Sequence, residues 1–167
     1  MSKQHSEFEI PTRIKKRLMD KAWVKKQLEE GITVQKLFGF SDETIEKFYE
    51  AAFQLFEEKH YAEAANAFLF LVTLDPFHQE YWLGFGSAIQ RCDDYEAAID
   101  AYEMAAICKI DSPVPYFHLG KCLFAMHDRP SALQAIELAL EYSDGVSEYD
   151  DLHHRALAAK ALLWKEE

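Results

Sequence analysis

From Ser41 onward, apolar and polar positions alternate with the period of a helix, not a strand. Phe48, Ala51, Ala52 and Leu55 make one stripe, and Tyr49, Phe53 and Phe56, at i, i+4, i+7 spacing, make a second beside it. One helix with two apolar faces must bury both or use one. Near the other end Leu152, Ala156, Ala159 and Leu163 recur at helical spacing and predict a helix over roughly 148–165, with Ser147 and Asp150 resembling a capping box in which Asp replaces Glu. At the front, Ile14, Leu18, Met19, Trp23 and Leu28 give only a partial stripe to a helix expected from Pro11-Thr12 to about Glu30, where Gly31 is a C-terminal stop. A short turn through Thr33 to Phe38 then leads to Ser41, an N-cap followed by Asp42 and Glu43 at the positive end of the next helix. Residues 1–10 read as loose.

Three stretches repeat at a fixed step of 34 residues: Tyr61-Ala-Glu-Ala64-Ala-Asn-Ala-Phe68, Tyr95-Glu-Ala-Ala98-Ile-Asp-Ala-Tyr102 and Arg129-Pro-Ser-Ala132-Leu-Gln-Ala-Ile136. A helical period of that length is the signature of tetratricopeptide repeats, which stack helix pairs into a curved solenoid with a concave binding face. With Ala64 at position 20, the repeats run 45–78, 79–112 and 113–146. Position 8, where paired helices cross closely, holds Ala52, Gly86 and Gly120; position 24 supplies the bulky Phe68, Tyr102 and Ile136. A mid-helix glycine costs about 1 kcal/mol relative to alanine, so its recurrence there points to tight packing. The chain therefore reads as all-α: an N-terminal basic helical arm over 1–40, an α-solenoid of three repeats within 41–146, and a C-terminal capping helix over 147–167 that covers the open end.

Charge divides along the same lines. The net charge is −11, yet residues 1–40 carry nine Lys or Arg against five Asp or Glu, whereas residues 41–167 carry nine against twenty-four. The repeat body is acidic and would repel a phosphate backbone, which disfavours nucleic acid as its partner. The basic arm reads as a solvated helix face or as a segment that docks on an acidic surface. No apolar run is long enough for a membrane span, and charges stand where a secretory signal needs an apolar core, so a cytosolic location without stable membrane insertion is expected. Cys92, Cys108 and Cys122 form no CxxC pair and read as reduced, packed thiols.

In tetratricopeptide arrays, positions 2, 5, 9 and 12 of each first helix line the groove. Here they supply Tyr49, Phe53 and Phe56 from the first repeat, Leu83, Ser87 and Gln90 from the second, and Phe117, Lys121 and Phe124 from the third. Such a groove suits apolar anchors on an extended peptide. The competing reading makes the aromatics core, covered by the basic helix or a second copy of the chain. The clamp of Lys, Asn and Arg with which some tetratricopeptide co-chaperones grip a C-terminal carboxylate is not formed by a single lysine.

Catalytic signatures are weak. Gly84-Phe-Gly86 has the first two glycines of a dinucleotide fingerprint but lacks the third and lies within a predicted helix with no preceding strand. No GxSxG elbow, P-loop or HExxH motif occurs. Adjacent His153 and His154 project about 100° apart on a helix and read as exposed polar residues, not metal ligands. His118 reads as a groove or packing residue, not a base. No cofactor, metal or catalytic residue is expected.

The runs Gly39-Phe40-Ser41-Asp42-Glu43-Thr44-Ile45-Glu46-Lys47-Phe48-Tyr49, Leu74-Asp75-Pro76-Phe77 leading into Tyr81-Trp82-Leu83-Gly84-Phe85-Gly86, and Pro113-Val-Pro-Tyr116-Phe117-His118-Leu119-Gly120-Lys121-Cys122 resemble the class II type III secretion chaperones, the SycD/LcrH-like group, over about residues 32–164. The resemblance implies a bacterial cytoplasmic chaperone that holds an extended proline- and leucine-containing segment of hydrophobic translocator proteins in its concave groove and keeps them soluble and secretion-competent. It places Tyr49, Phe53, Phe56 and Tyr61 in that groove, which continues over Leu83, Ser87, Phe117 and Lys121. It also implies a homodimer formed through the N-terminal region and first repeat. The alternative is a tetratricopeptide scaffold or regulatory adaptor that binds through its acidic convex face.

Overall fold

A computed structural model describes residues 12–165; the expectations for residues 1–11 lie outside them. The first helical segment is two helices, α1 (Thr12–Leu18) and α2 (Lys21–Glu29), where a single one was expected. The break is local chemistry: Asp20 leaves the helical conformation and its carboxylate accepts from the Ala22 and Trp23 amides, both at 3.1 Å, capping α2. An acidic side chain of this reach competes with the helix ladder and starts a new one. Gly31, at φ +75°, ends α2 in the left-handed conformation that favours glycine.

The expected turn over 33–38 is instead a short helix, α3 (Val34–Phe38). Thr33 caps its start and Gly39, again left-handed, stops it; Gln35 donates to Asp42 at 2.8 Å and ties it to the first residue of the next helix. Ser41 accepts from the Thr44 amide at 3.2 Å, as an N-cap there requires, and opens α4 (Asp42–Glu57).

Six further helices complete the array: α5 (Tyr61–Leu74), α6 (Gln79–Gln90), α7 (Tyr95–Cys108), α8 (Pro113–Ala125), α9 (Arg129–Ser143) and α10 (Asp150–Trp164). From α4 onward each packs on the next, an all-α solenoid of three tetratricopeptide helix pairs closed by a terminal helix. The 34-residue step is visible in the detail. Helices α5, α7 and α9 begin at 61, 95 and 129, and each intra-repeat turn places a non-glycine residue, Lys59, Asp93 or His127, at φ near +60°. Trp82 donates its indole N–H to Pro76 O at 2.7 Å, and 34 residues on Tyr116 donates to Ile110 O at 2.9 Å, so both aromatics tie their helix to the preceding turn.

Close crossing explains the glycines. A Cβ on Gly86 would stand 2.9 Å from the Tyr102 ring, and one on Gly120 would stand 2.8 Å from Ile136 and 3.2 Å from the Ala132 carbonyl. The facing alanines, Ala64, Ala98 and Ala132, are completely buried.

The last helix is not started by the expected capping box. Ser147–Tyr149 form a 3-10 turn that runs directly into α10, with no side-chain cap bond at either start. A capping side chain needs an extended backbone at its own residue, which Ser147 lacks inside that turn. Packing holds α10 instead: Ala156 and Leu163 are buried with Ile136 and Ala139 of α9, and Lys160 pairs with Glu137 at 3.0 Å. His153, expected to be exposed, is partly buried and bonds Ser143 at 2.8 Å, which satisfies a buried hydroxyl.

Candidate functional site

Helices α4, α6 and α8, the first of each repeat, present their residues to one concave face. Tyr49 of α4 is half-buried, its ring edge-on to Phe68 (6.0 Å between centroids) and tilted against Tyr81 (5.8 Å). Burial, followed by the charges of Glu80 and Glu46, raises its pKa above the ordinary phenol value, so it keeps its proton. One turn on, Phe53 leaves 47% of its surface open. Phe56 packs edge-on against Tyr61, 5.3 Å away. These aromatics with Leu83, Ser87 and His118 bound a cavity of about 230 Å³. Gly84 lies in its wall, where a Cβ would overlap the Phe68 ring.

A second, larger cavity of about 670 Å³ continues from the first, sharing Phe56, Ser87 and His118 and adding Gln90, Arg91, Asp93, Tyr95 and Lys121. Its floor is a polar network. The fully buried Tyr102 donates to Gln90 Oε1 at 2.8 Å, with Ser87 Oγ 3.2 Å from the same hydroxyl. The groove thus has an aromatic half and a polar half, joined at Ser87 and His118.

His118 sits at that junction. Its imidazole stacks on Tyr102 at 5.1 Å, and its Nδ1 is buried with no hydrogen-bond partner. Burial, with Lys121 and Arg155 adding positive charge nearby, lowers its pKa to about 4, so the ring is neutral at physiological pH. The thiol of Cys122, buried against Ala98 and Tyr102, is pushed up to about 11, chiefly by burial.

The residues expected to line the site divide. Tyr49, Phe53, Phe56, Leu83 and Ser87 come together in the aromatic half, and Lys121 lines the polar half. Tyr61 stands behind Phe56 and carries the Arg91 guanidinium 5.3 Å from its ring centre. Phe117 is not on the groove floor: only 5% exposed, it packs with Ile136, Ala156 and Leu163 beneath α10, with Arg155 4.9 Å from its ring centre. Phe124 is half exposed but belongs to a separate cleft of about 220 Å³ between α8 and α10, with Leu162 and Leu163. The helix turns by about 100° per residue, so once α10 claims Phe117, its neighbour His118 faces the groove. Glu80 and Val114, which stand at position 2 of the second and third repeats, also line the aromatic half.

Among the described residues no group of three or more His, Cys, Asp or Glu is arranged to hold a metal ion, and no helix is long and apolar enough to cross a membrane. All three cysteines are unpaired thiols.

A three-repeat tetratricopeptide solenoid with an aromatic concave groove defines a peptide-binding class of protein. Comparison with known proteins narrows that class. No protein-family model matches the chain. It is 30% identical over 128 residues, 77% of its own length and 76% of the relative's, to the low calcium response locus protein H of Yersinia pestis. Its fold matches the type III secretion translocator chaperone SycD of Yersinia enterocolitica in an alternative dimer, with TM-score 0.73 and 28% identity over 75% of this chain and 95% of that one. It also matches SycD in complex with a peptide of the translocator YopD, with TM-score 0.72 and 27% identity over 75% and 95% of the two chains. The chain belongs to the family of type III secretion translocator chaperones.

Proposed function

We propose that this chaperone binds an extended, proline- and leucine-containing segment of hydrophobic translocator proteins in the concave groove, with apolar side chains seated among Tyr49, Phe53, Phe56 and Leu83. The observation that carries this reading is the half-open Phe53 ring beside a preformed cavity of about 230 Å³. Groups left open at the mouth of a preformed apolar cavity are where an incoming side chain gains the most buried area. Holding such a segment keeps the translocator soluble and secretion-competent in the bacterial cytoplasm.

The role is one of binding and not catalysis. At neutral pH His118 is neutral and Cys122 is protonated and buried, so neither is primed as a base–nucleophile pair. Self-association through the N-terminal region and first repeat is supported by Met19 and Leu28, apolar side chains 83% and 50% exposed on the α1–α2 segment. Co-expression with an apolar translocator of the same secretion system tests the function. The partner stays soluble and co-purifies with the chaperone; a partner that remains insoluble beside well-folded chaperone rejects the reading.

A further inference from the structure

The polar half of the groove is built for something other than an apolar anchor. In a body whose residues 41–167 carry twenty-four acidic against nine basic side chains, two cations, Arg91 and Lys121, line the same cavity. Neither has an ion pair among the described residues. The Arg91 guanidinium rests over the Tyr61 ring at 5.3 Å and the Lys121 ammonium lies 5.8 Å from the Phe117 ring centre, aromatic contacts that leave their N–H groups unspent. The carboxylate of Asp93, which also lines the cavity, lies on the exposed α6–α7 turn and already accepts the Tyr95 hydroxyl at 3.1 Å. His118, whose imidazole is partly exposed, lines the same cavity.

We propose that this half of the groove is a carboxylate subsite, in which Arg91, Lys121 and the His118 imidazole receive an acidic side chain of the bound segment beside its apolar anchors. The proposal rests on the groove reading above and adds to it a polar specificity: an Asp or Glu following the anchors in the extended segment. The ligand is a side chain, so no terminal carboxylate clamp is needed. The field is already of the right sign, since the charges of Lys121 and Arg155 both act to lower the His118 pKa. The other ionisable groups around His118 are Tyr102 of α7, Glu80 and Arg91 at the two ends of α6, and Asp93 and Tyr95 at the α6–α7 turn.

The test uses fluorescently labelled synthetic peptides of extended Pro/Leu sequence, with one Glu or, as the control, one Gln scanned along the positions flanking the leucine. Anisotropy titrations give tighter binding for Glu than for Gln by about tenfold at one or two positions, the gain expected of charge-assisted hydrogen bonds in a partly shielded site. The gain weakens in raised salt and disappears in an Arg91→Gln/Lys121→Gln variant, whose substitutions are on exposed side chains. In the wild-type protein, NMR titration of His118 shows its pKa rising when the best Glu peptide binds and not when its Gln twin does. Glu binding no tighter than Gln at every position, or a gain that survives the double substitution, overturns the subsite while leaving the groove reading intact. Failure of every peptide to bind removes the groove reading and the subsite together.

Discussion

The His118 imidazole lies stacked on the Tyr102 ring, 5.1 Å between centroids and 16° between planes, with its Nδ1 sealed from water. This pair joins the second and third repeats beneath the groove, and it makes stability depend on pH. A histidine whose folded pKa is depressed to about 4 from 6.5 binds fewer protons in the native than in the unfolded state between those values. Its contribution is complete above about pH 6.5 and is lost as the pH falls towards 4, by at most about 3 kcal/mol. Urea unfolding of wild type and His118→Asn at pH 7 and pH 4.5 isolates it: the wild type loses more stability on acidification than the variant does.

Gly120→Ala places a methyl 2.8 Å from Ile136 and 3.2 Å from the Ala132 carbonyl. Overpacking of this kind costs about 1–3 kcal/mol, against which alanine regains about 1 kcal/mol of helix propensity. Steric cost wins, and denaturant titration shows a net loss of about 1 kcal/mol.

His127 holds φ +63° at the α8–α9 turn, with its side chain exposed. Left-handed backbone costs a non-glycine residue about 1–2 kcal/mol, and glycine gives back about half of that relief as extra freedom of the unfolded chain. His127→Gly therefore raises stability by about 0.5–1 kcal/mol, read as a higher urea midpoint at unchanged slope.

Phe117→Ala removes a ring that is 5% exposed and seated under α10. The cavity left behind lowers global stability by about 3–5 kcal/mol. Peptide affinity of the folded fraction, measured well below the melting temperature, stays close to wild type.

How much of this was legible in the sequence depended on whether a signal was local or shared between distant elements. The recurrence of Ala64, Ala98 and Ala132 reports a packing rule that each repeat obeys by itself, and the helices beginning at 61, 95 and 129 follow from it. Ser41 and Gly31 are likewise local signals, and both act as expected. Asp20 was not legible as a break, because a lone aspartate inside a weak apolar stripe looks like an ordinary exposed position. Phe117, expected in the groove, lies off its floor for a different reason: which of two neighbours faces the groove is decided by α10, about forty residues downstream in sequence, whose docking covers Phe117 and leaves His118 as the groove residue. The polar network of Ser87, Gln90 and Tyr102 also spans two helices, so the polar half of the groove emerges only from the folded arrangement.

Calorimetric titration of a Pro/Leu-containing translocator segment into wild type, Phe53→Asp and Phe77→Asp tests the account most directly. Both phenylalanines are substantially exposed, 47% and 73%, so neither change should unfold the protein, but only Phe53 borders the groove cavity. The groove account predicts that Phe53→Asp weakens binding by about tenfold or more while Phe77→Asp binds as wild type. Equal binding by Phe53→Asp and wild type, or equal loss in both variants, would contradict it.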